Sequence, residues 1–233
     1  SLAQLEVARA EFGRWWSACW QQDPSDEENA HFRPTQWPTY GDTGDAYVIN
    51  EKDGITPRKI LMKDEVLILV TVDWAWSVKQ SADHTAIGVF GLTSDGRLLI
   101  LDMVNKRYRP EELAPALAKV CQKWRPSLVG VETGHPTFAG EYRRHPEIPE
   151  VYWLKPESKD KLRRALTTIV MGENGRLYLP MDGAPWLEDF IAQIVSFTGV
   201  NDDADDMVDA LAWGCQLAAQ MRLLTQSRAE ASG

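Results

Sequence analysis

The sequence predicts an α/β domain built on a mixed β-sheet, an antiparallel meander extended by parallel strands, with helices on both faces. Three observations predict it. Val66–Asp73 is a nearly continuous apolar, β-branched run, the composition of a strand buried on both faces. Two further strand-like runs follow it, as a meander requires. Beyond them, helical and strand-like periodicities alternate, which is how parallel strands obtain their crossovers.

Taken in order, Leu2–Gln21 has Leu5, Phe12, Trp15, Trp16, Cys19 and Trp20 on one stripe and predicts an amphipathic helix. Gln22–Glu27, with Pro24, ends it, and Pro34, Pro38 and Gly41 predict an irregular stretch after it. Residues 1–60 therefore form an N-terminal helix and linker, 61–222 the folded domain, and 223–233 a polar tail. Within the domain, Thr85–Leu92 and Arg97–Asp102 are the second and third strands, and Ser94-Asp95-Gly96 between them is a hairpin signal. A helix enters at Arg109-Pro110-Glu111-Glu112, with Leu113, Leu117, Val120 and Cys121 at helical spacing. Leu128–Glu132 and Val151–Leu154 are the fourth and fifth strands. A helix from about Lys159 to Met171, a short Arg176–Pro180 segment, a helix near Trp186 and a last helix from about Asp205 complete the chain.

The 233 residues are enough for one well-filled core, and 44% hydrophobic with 25% charged residues is ordinary globular composition. No apolar run approaches the roughly 18 residues needed to cross a bilayer, and Ser1–Glu6 lacks the basic flank and apolar stretch of a signal peptide. Cys19, Cys121 and Cys215, odd in number and without paired spacing, read as reduced thiols of a cytoplasmic protein, not as a zinc site. The net charge of -9 argues against tight, unaided binding of nucleic acid. It fits either an acidic surface or acid concentrated in a cation site.

Where the acids fall is more informative. Asp73 ends the most apolar strand, Glu132 ends another, and Asp205, Asp206 and Asp209 open the last helix. A carboxylate at the end of a buried strand is expensive to desolvate unless paired or bound to a cation. Singly, each reads as a cap or turn residue; together they are harder to dismiss. On the last helix, Val208, Leu211, Ala212, Cys215 and Ala219 form an apolar stripe. Asp206 and Asp209, three apart, flank it, with Asp205 placed nearer the opposite side. Asp202, Asp203 and Asp205 also suit a helix N-terminus. Converging carboxylates are relieved most cheaply by a hard divalent cation, Mg²⁺ or Mn²⁺, since histidine and cysteine are missing nearby. Two such ions about 4 Å apart suit in-line phosphodiester cleavage.

Val70-Thr71-Val72-Asp73, Ser81–Ile87, Val129-Gly130-Val131-Glu132-Thr133 and Asp205–Leu211 resemble the successive motifs of the large terminase nuclease domain of tailed phages. Lys161–Ala165 and Glu173–Pro180 resemble the segment between that family's second and third acids, so the likeness covers roughly residues 65 to 220. Trp20–Pro24 is similar to the connection that follows the family's ATPase motor. The resemblance implies a ribonuclease-H-like fold and a Mg²⁺- or Mn²⁺-dependent endonuclease that cuts concatemeric double-stranded viral DNA during packaging, in the host cytoplasm. Its implied partners are the ATPase motor, the small terminase and the capsid portal, with no membrane. It implies catalytic roles for Asp73, Glu132 and Asp206, and metal ligation by these with Asp205 and Asp209. No Gly-x-x-x-x-Gly-Lys loop is present, so this chain itself should not hydrolyse ATP. It is either a nuclease fragment or a stand-alone relative.

Lys155, Lys159, Lys161, Arg163 and Arg164 are the densest basic cluster and the candidate phosphate contacts, with Lys106, Arg107 and Arg109 a weaker set. Asp83 could support the site but reads at least as well as a turn acid, Asp102 reads as a turn acid, and His84 and His135 read as loop histidines that a site could recruit as a base. Trp74 and Trp76 could stack on DNA, though loop aromatics more often pack back on the sheet. Two other readings use the same acids: a junction resolvase of the same superfamily, and a non-catalytic domain that binds DNA or docks on a portal.

Overall fold

The computed structural model describes residues 30–50, 59–74, 84–133, 136–155, 161–200, 202 and 204–231. Among the described residues nine strands form one sheet: β1 (Thr39–Asp42), β2 (Ala46–Asn50), β3 (Lys59–Met62), β4 (Leu67–Asp73), β5 (Thr85–Leu92), β6 (Leu98–Lys106), β7 (Leu128–Glu132), β8 (Val151–Leu154) and β9 (Leu177–Pro180). Their order is β3-β2-β1-β9-β6-β5-β4-β7-β8. The helices are α1 (Leu113–Trp124), α2 (Pro136–Glu141), α3 (Lys161–Glu173), α4 (Leu187–Ser196) and α5 (Asp206–Ala231).

The predicted meander is β4-β5-β6, antiparallel throughout, and β7, β8 and β9 add in parallel. The β5–β6 hairpin turns at Gly96, whose φ of 82° is a backbone state in which a side chain would be strained. The long apolar runs are explained by two cores, one on each face of the sheet. Val70, Val72, Val129 and Val131 pack with Leu113, Leu117 and Cys121 of α1. Leu69, Phe90 and Ile100 pack with Phe190 and Ile194 of α4 and with Val208, Leu211 and Cys215 of α5.

Successive strand residues face opposite sides, so this split fixes the orientation of the strand ends. With Leu69 on the α5 side, Thr71 and Asp73 follow it there. Thr71 shows this directly: its hydroxyl donates to the Ala210 carbonyl of α5 at 2.7 Å. On β7, Val129 and Val131 belong to the α1 side, which leaves Gly130 and Glu132 toward α5. Helix α5 lies across β4 and β5. It approaches closely at Gly214, where an added Cβ would sit 2.6 Å from the Phe90 ring.

Two stretches differ from expectation. The segment read as irregular after Pro34 carries β1 and β2, and with β3 these extend the same sheet. Pro38 lies just ahead of β1 and Gly41 within it, positions a strand near a sheet margin tolerates. The stretch is anchored by Tyr40, Tyr47 and Ile49, all buried, and by the Tyr40 hydroxyl donating to the Ile100 carbonyl at 2.8 Å. The polar segment from 223 continues α5 as helix to Ala231. The Arg176–Pro180 segment carries strand β9 from Leu177 onward, and Pro136–Glu141, unassigned from sequence, is α2. The predicted helix Leu2–Gln21 lies outside the described residues. No helix among the described residues is long and apolar enough to cross a membrane.

Candidate metal centre

The site forms where the parallel pair β4 and β7 ends beside the start of α5. Their last paired residues are Val72 and Val131. The next residue on each strand is an acid, Asp73 and Glu132, and alternation turns both toward α5. Parallel pairing is what brings two distant acids together, since it puts both C-terminal strand ends at one edge. Glu132 is buried, 8% exposed. It shares a hydrogen bond with Asp73 and accepts another from Trp213 Nε1 of α5 at 3.3 Å.

The third contribution comes from α5. Asp205 and Asp209 are buried, at 7% and 6% exposure, and Asp206 is half-buried. Asp205 does not lie on the opposite flank, as read from sequence. It stands one turn before Asp209, whose backbone N–H donates to the Asp205 carbonyl at 2.9 Å, and the i,i+4 spacing stacks both carboxylates on one side. The turn ahead of them is fixed by Asp202, which accepts from Thr198 N, Thr198 Oγ1 and Gly199 N at 2.7–2.9 Å. Gly199, φ 79°, lies against α3, where a Cβ would meet Leu162 at 2.8 Å. Gln193 of α4 accepts from Met207 N at 3.1 Å and covers one open N–H of α5.

The electrostatics follow from this crowding. Burial raises the Asp73 pKa well above the usual carboxylate range, helped by the hydrogen bond with Glu132 and by the charges of Asp209, Glu132 and Asp206. Burial and then Asp205 push Asp206 up to about 6, against the lowering influence of His84 and Lys161. Burial also raises Asp209, although Arg164 and Lys161 pull it down.

Two cations of α3 enter the cluster. Lys161 Nζ bonds Asp205 Oδ2 and stands 3.5 Å from Asp209 Oδ2, while Arg164 donates to Asp209 Oδ1 at 2.9 Å. Burial disfavours the Lys161 ammonium, but its bond to Asp205 and the charges of Asp209, Asp205 and Asp73 raise its pKa overall. Among the described residues, no three acids already stand as a ready-made metal cage. Lys161 and Arg164 pair with Asp205 and Asp209, and Asp73 is engaged with Glu132. The donor set nevertheless fits a hard divalent cation. It is all oxygen, it is largely buried, and among the described residues its acids outnumber the cations facing them.

Of the other candidates, Lys155 and Arg163 lie on the exposed surface on either side of the start of α3. Lys159, Asp83, His135 and Trp76 lie outside the described residues. Trp74 is buried and packs on Phe138 with centroids 4.8 Å apart. Asp102 accepts from Lys123 Nζ at 2.7 Å and Trp124 Nε1 at 3.0 Å, tying α1 to β6. Arg109 pairs with Glu112 at 2.9 Å. Sequence reading missed Trp213 and Thr71. Trp213 could have been found from its spacing, one turn beyond Asp209 on the same helix face.

No curated protein matches the chain significantly. Among solved structures it is similar to the large terminase nuclease of thermophilic phage G20c with bound magnesium, at 12% identity over 80% of this chain and 96% of that one, TM-score 0.52. The cobalt-bound form of that nuclease matches at 14% identity over 82% and 95%, TM-score 0.50. The human cytomegalovirus terminase nuclease domain matches at 15% identity over 68% and 86%, TM-score 0.49. The G20c likenesses establish a shared fold. A family model described as the terminase RNaseH-like domain spans residues 70–217, from within β4 through the α5 acids. Both the strand-end acids and the helix that meets them lie inside that span, and the chain belongs to the terminase RNaseH-like domain family.

Proposed function

We propose that this chain is a metal-dependent endonuclease that cuts concatemeric, double-stranded viral DNA during genome packaging in the host cytoplasm. One observation carries the reading: within a terminase RNaseH-like domain, two strand-end carboxylates and the acids at the start of α5 share one buried cluster with, among the described residues, too few cations to balance it. Asp73, Glu132 and Asp206 are the catalytic acids, with Asp205 and Asp209 as companion ligands. Mg²⁺ or Mn²⁺ bound there, as one ion or a pair, would supply the positive charge that activates water and steadies the leaving oxygen of a phosphodiester. A magnesium-bound relative of the same fold supports the choice of metal.

The chain's own residues divide the remaining work. The β4–β7 pairing sets Asp73 against Glu132, Trp213 orients Glu132, and Arg164 orients Asp209. Lys155, Lys159, Lys161, Arg163 and Arg164 are the phosphate contacts, and Lys161 and Arg164 also pair with the acids. A net charge of -9 leaves much of the grip on DNA to other parts of the machine. Those are the ATPase motor, to which residues 1–60 would connect, together with the small terminase and the capsid portal.

Plasmid digestion tests this. Supercoiled DNA should be nicked and linearised with Mg²⁺ or Mn²⁺, spared in EDTA, and spared by Glu132→Ala. Cleavage that persists in EDTA, or that Glu132→Ala retains in full, would sink the assignment.

A further inference from the structure

The two cations in the acid cluster are not equivalent. Arg164 is 15% exposed, its backbone carbonyl accepts from Gln216 of α5 at 3.3 Å, and its guanidinium uses Asp209 Oδ1. Lys161 is 38% exposed, begins α3, and is directed at Oδ2 of both Asp205 and Asp209. It therefore takes the oxygens that Arg164 leaves free. These are also oxygens a divalent ion would need, and a lone pair already accepting from an ammonium is closed to a metal. Lys161 is the more exposed of the two, on a long flexible stem, whereas the Arg164 guanidinium is more deeply buried and presents a planar fork to Asp209.

We propose that Lys161 is a displaceable internal counter-ion. It neutralises Asp205 and Asp209 in the metal-free protein, yields their Oδ2 atoms to an incoming divalent cation, and is thereby released toward the DNA backbone. Arg164 stays on Asp209 Oδ1 as a positioning residue. This rests on the proposed metal-dependent reading of the same site. It explains how one helix carries phosphate-binding residues while two of them face acids: the buried ion pairs are the resting state. It also couples the two ligands, because metal loading frees a cation for phosphate, and phosphate drawing on Lys161 uncovers the metal's oxygens. Such linkage is reciprocal.

The test uses Mn²⁺ alone, without DNA. By calorimetry, Lys161→Gln should bind Mn²⁺ about tenfold more tightly than the parent, within the roughly 5–150-fold span of ordinary site coupling. Its metal-free form should melt at lower temperature, and Lys161→Arg should restore both values. An unchanged or weaker Mn²⁺ affinity in folded Lys161→Gln overturns the proposal. The unaltered protein supplies a second reading that needs no variant. Acetylation of the Lys161 amine, followed by mass spectrometry, should accelerate several-fold on adding Mn²⁺, with Lys123 unchanged as the internal control. Lys161 labelling at the same rate with bound Mn²⁺ and in EDTA overturns the proposal while leaving the nuclease reading standing. Failure of parent and variant alike to bind Mn²⁺ overturns both.

Discussion

Two places in this protein bring a carboxylate, a lysine and a tryptophan together, and they behave oppositely. At β6, Asp102 meets Lys123 Nζ at 2.7 Å, Trp124 Nε1 at 3.0 Å and its neighbour Met103 N at 3.0 Å. One acid faces one cation, both carboxylate oxygens accept hydrogen bonds, and Lys123 is 64% exposed. At the ends of β4 and β7, Glu132 also accepts from a tryptophan. There, however, Asp73, Glu132, Asp205, Asp206 and Asp209 face, among the described residues, only Lys161 and Arg164, with His84 acting on Asp206. Balanced charge makes a clamp. Excess charge of one sign, held under burial, makes a binding site for the missing charge.

The sharpest way to break this comparison is Asp73→Asn, which removes one negative charge from the crowded cluster and keeps its shape. Cleavage should fall by at least about a hundredfold, because even outer-shell partners of a metal cost 10–100-fold when removed and Asp73 is proposed as a direct ligand. The metal-free protein should become more stable. Asp73 has a folded pKa above its unfolded one, so the folded state holds more protons and loses stability as pH rises between those values. The gain from asparagine should therefore vanish in acid and grow toward neutral pH. Melting curves across a pH series check this. A variant less stable than the parent at neutral pH would show that the acids are already balanced.

Much of this site was legible in sequence, for a physical reason. An acid closing a run such as Val66–Asp73 contradicts its surroundings, and contradictions of burial are visible without coordinates. The strands of the meander were legible too, since burial on both faces writes itself as unbroken apolar runs. What stayed hidden depended on tertiary pairing. The β1–β2 extension is short, carries Gly41 and follows Pro38, and is held by Tyr40 reaching the Ile100 carbonyl sixty residues away. The role of Lys161 was hidden likewise: a basic helix start reads as a solvated or DNA-facing surface until the loop at Gly199 sets Asp205 beside it.

A milder change sharpens the comparison from the tryptophan side. Trp213→Phe keeps a ring in the α5 packing but removes the N–H that Glu132 accepts at 3.3 Å. Mn²⁺ affinity should weaken by roughly tenfold, the lower end of what loss of an orienting partner costs. Cleavage at limiting metal should fall with it and recover as metal is raised. Lost cleavage that no amount of Mn²⁺ restores would give Trp213 a different task, in which its contact with Glu132 is incidental.

The smallest effect on cleavage belongs to Asp102→Ala, although its effect on folding is the more direct one. Removing this carboxylate strands Trp124 Nε1 and Met103 N, donors that are part-buried, and should cost about 1–3 kcal/mol of stability. Lys123 suffers little, because an ammonium 64% exposed is already hydrated. Asp102→Asn should recover most of the loss, since an amide oxygen still accepts from the indole. Denaturant unfolding of both variants measures this, and plasmid cleavage should stay within about twofold of the parent, because the clamp joins α1 to β6 on the face of the sheet away from α5. A folded Asp102→Ala protein that cannot cut DNA would show that the balanced clamp and the unbalanced cluster are not independent, and that the α1 face reaches the chemistry through the sheet.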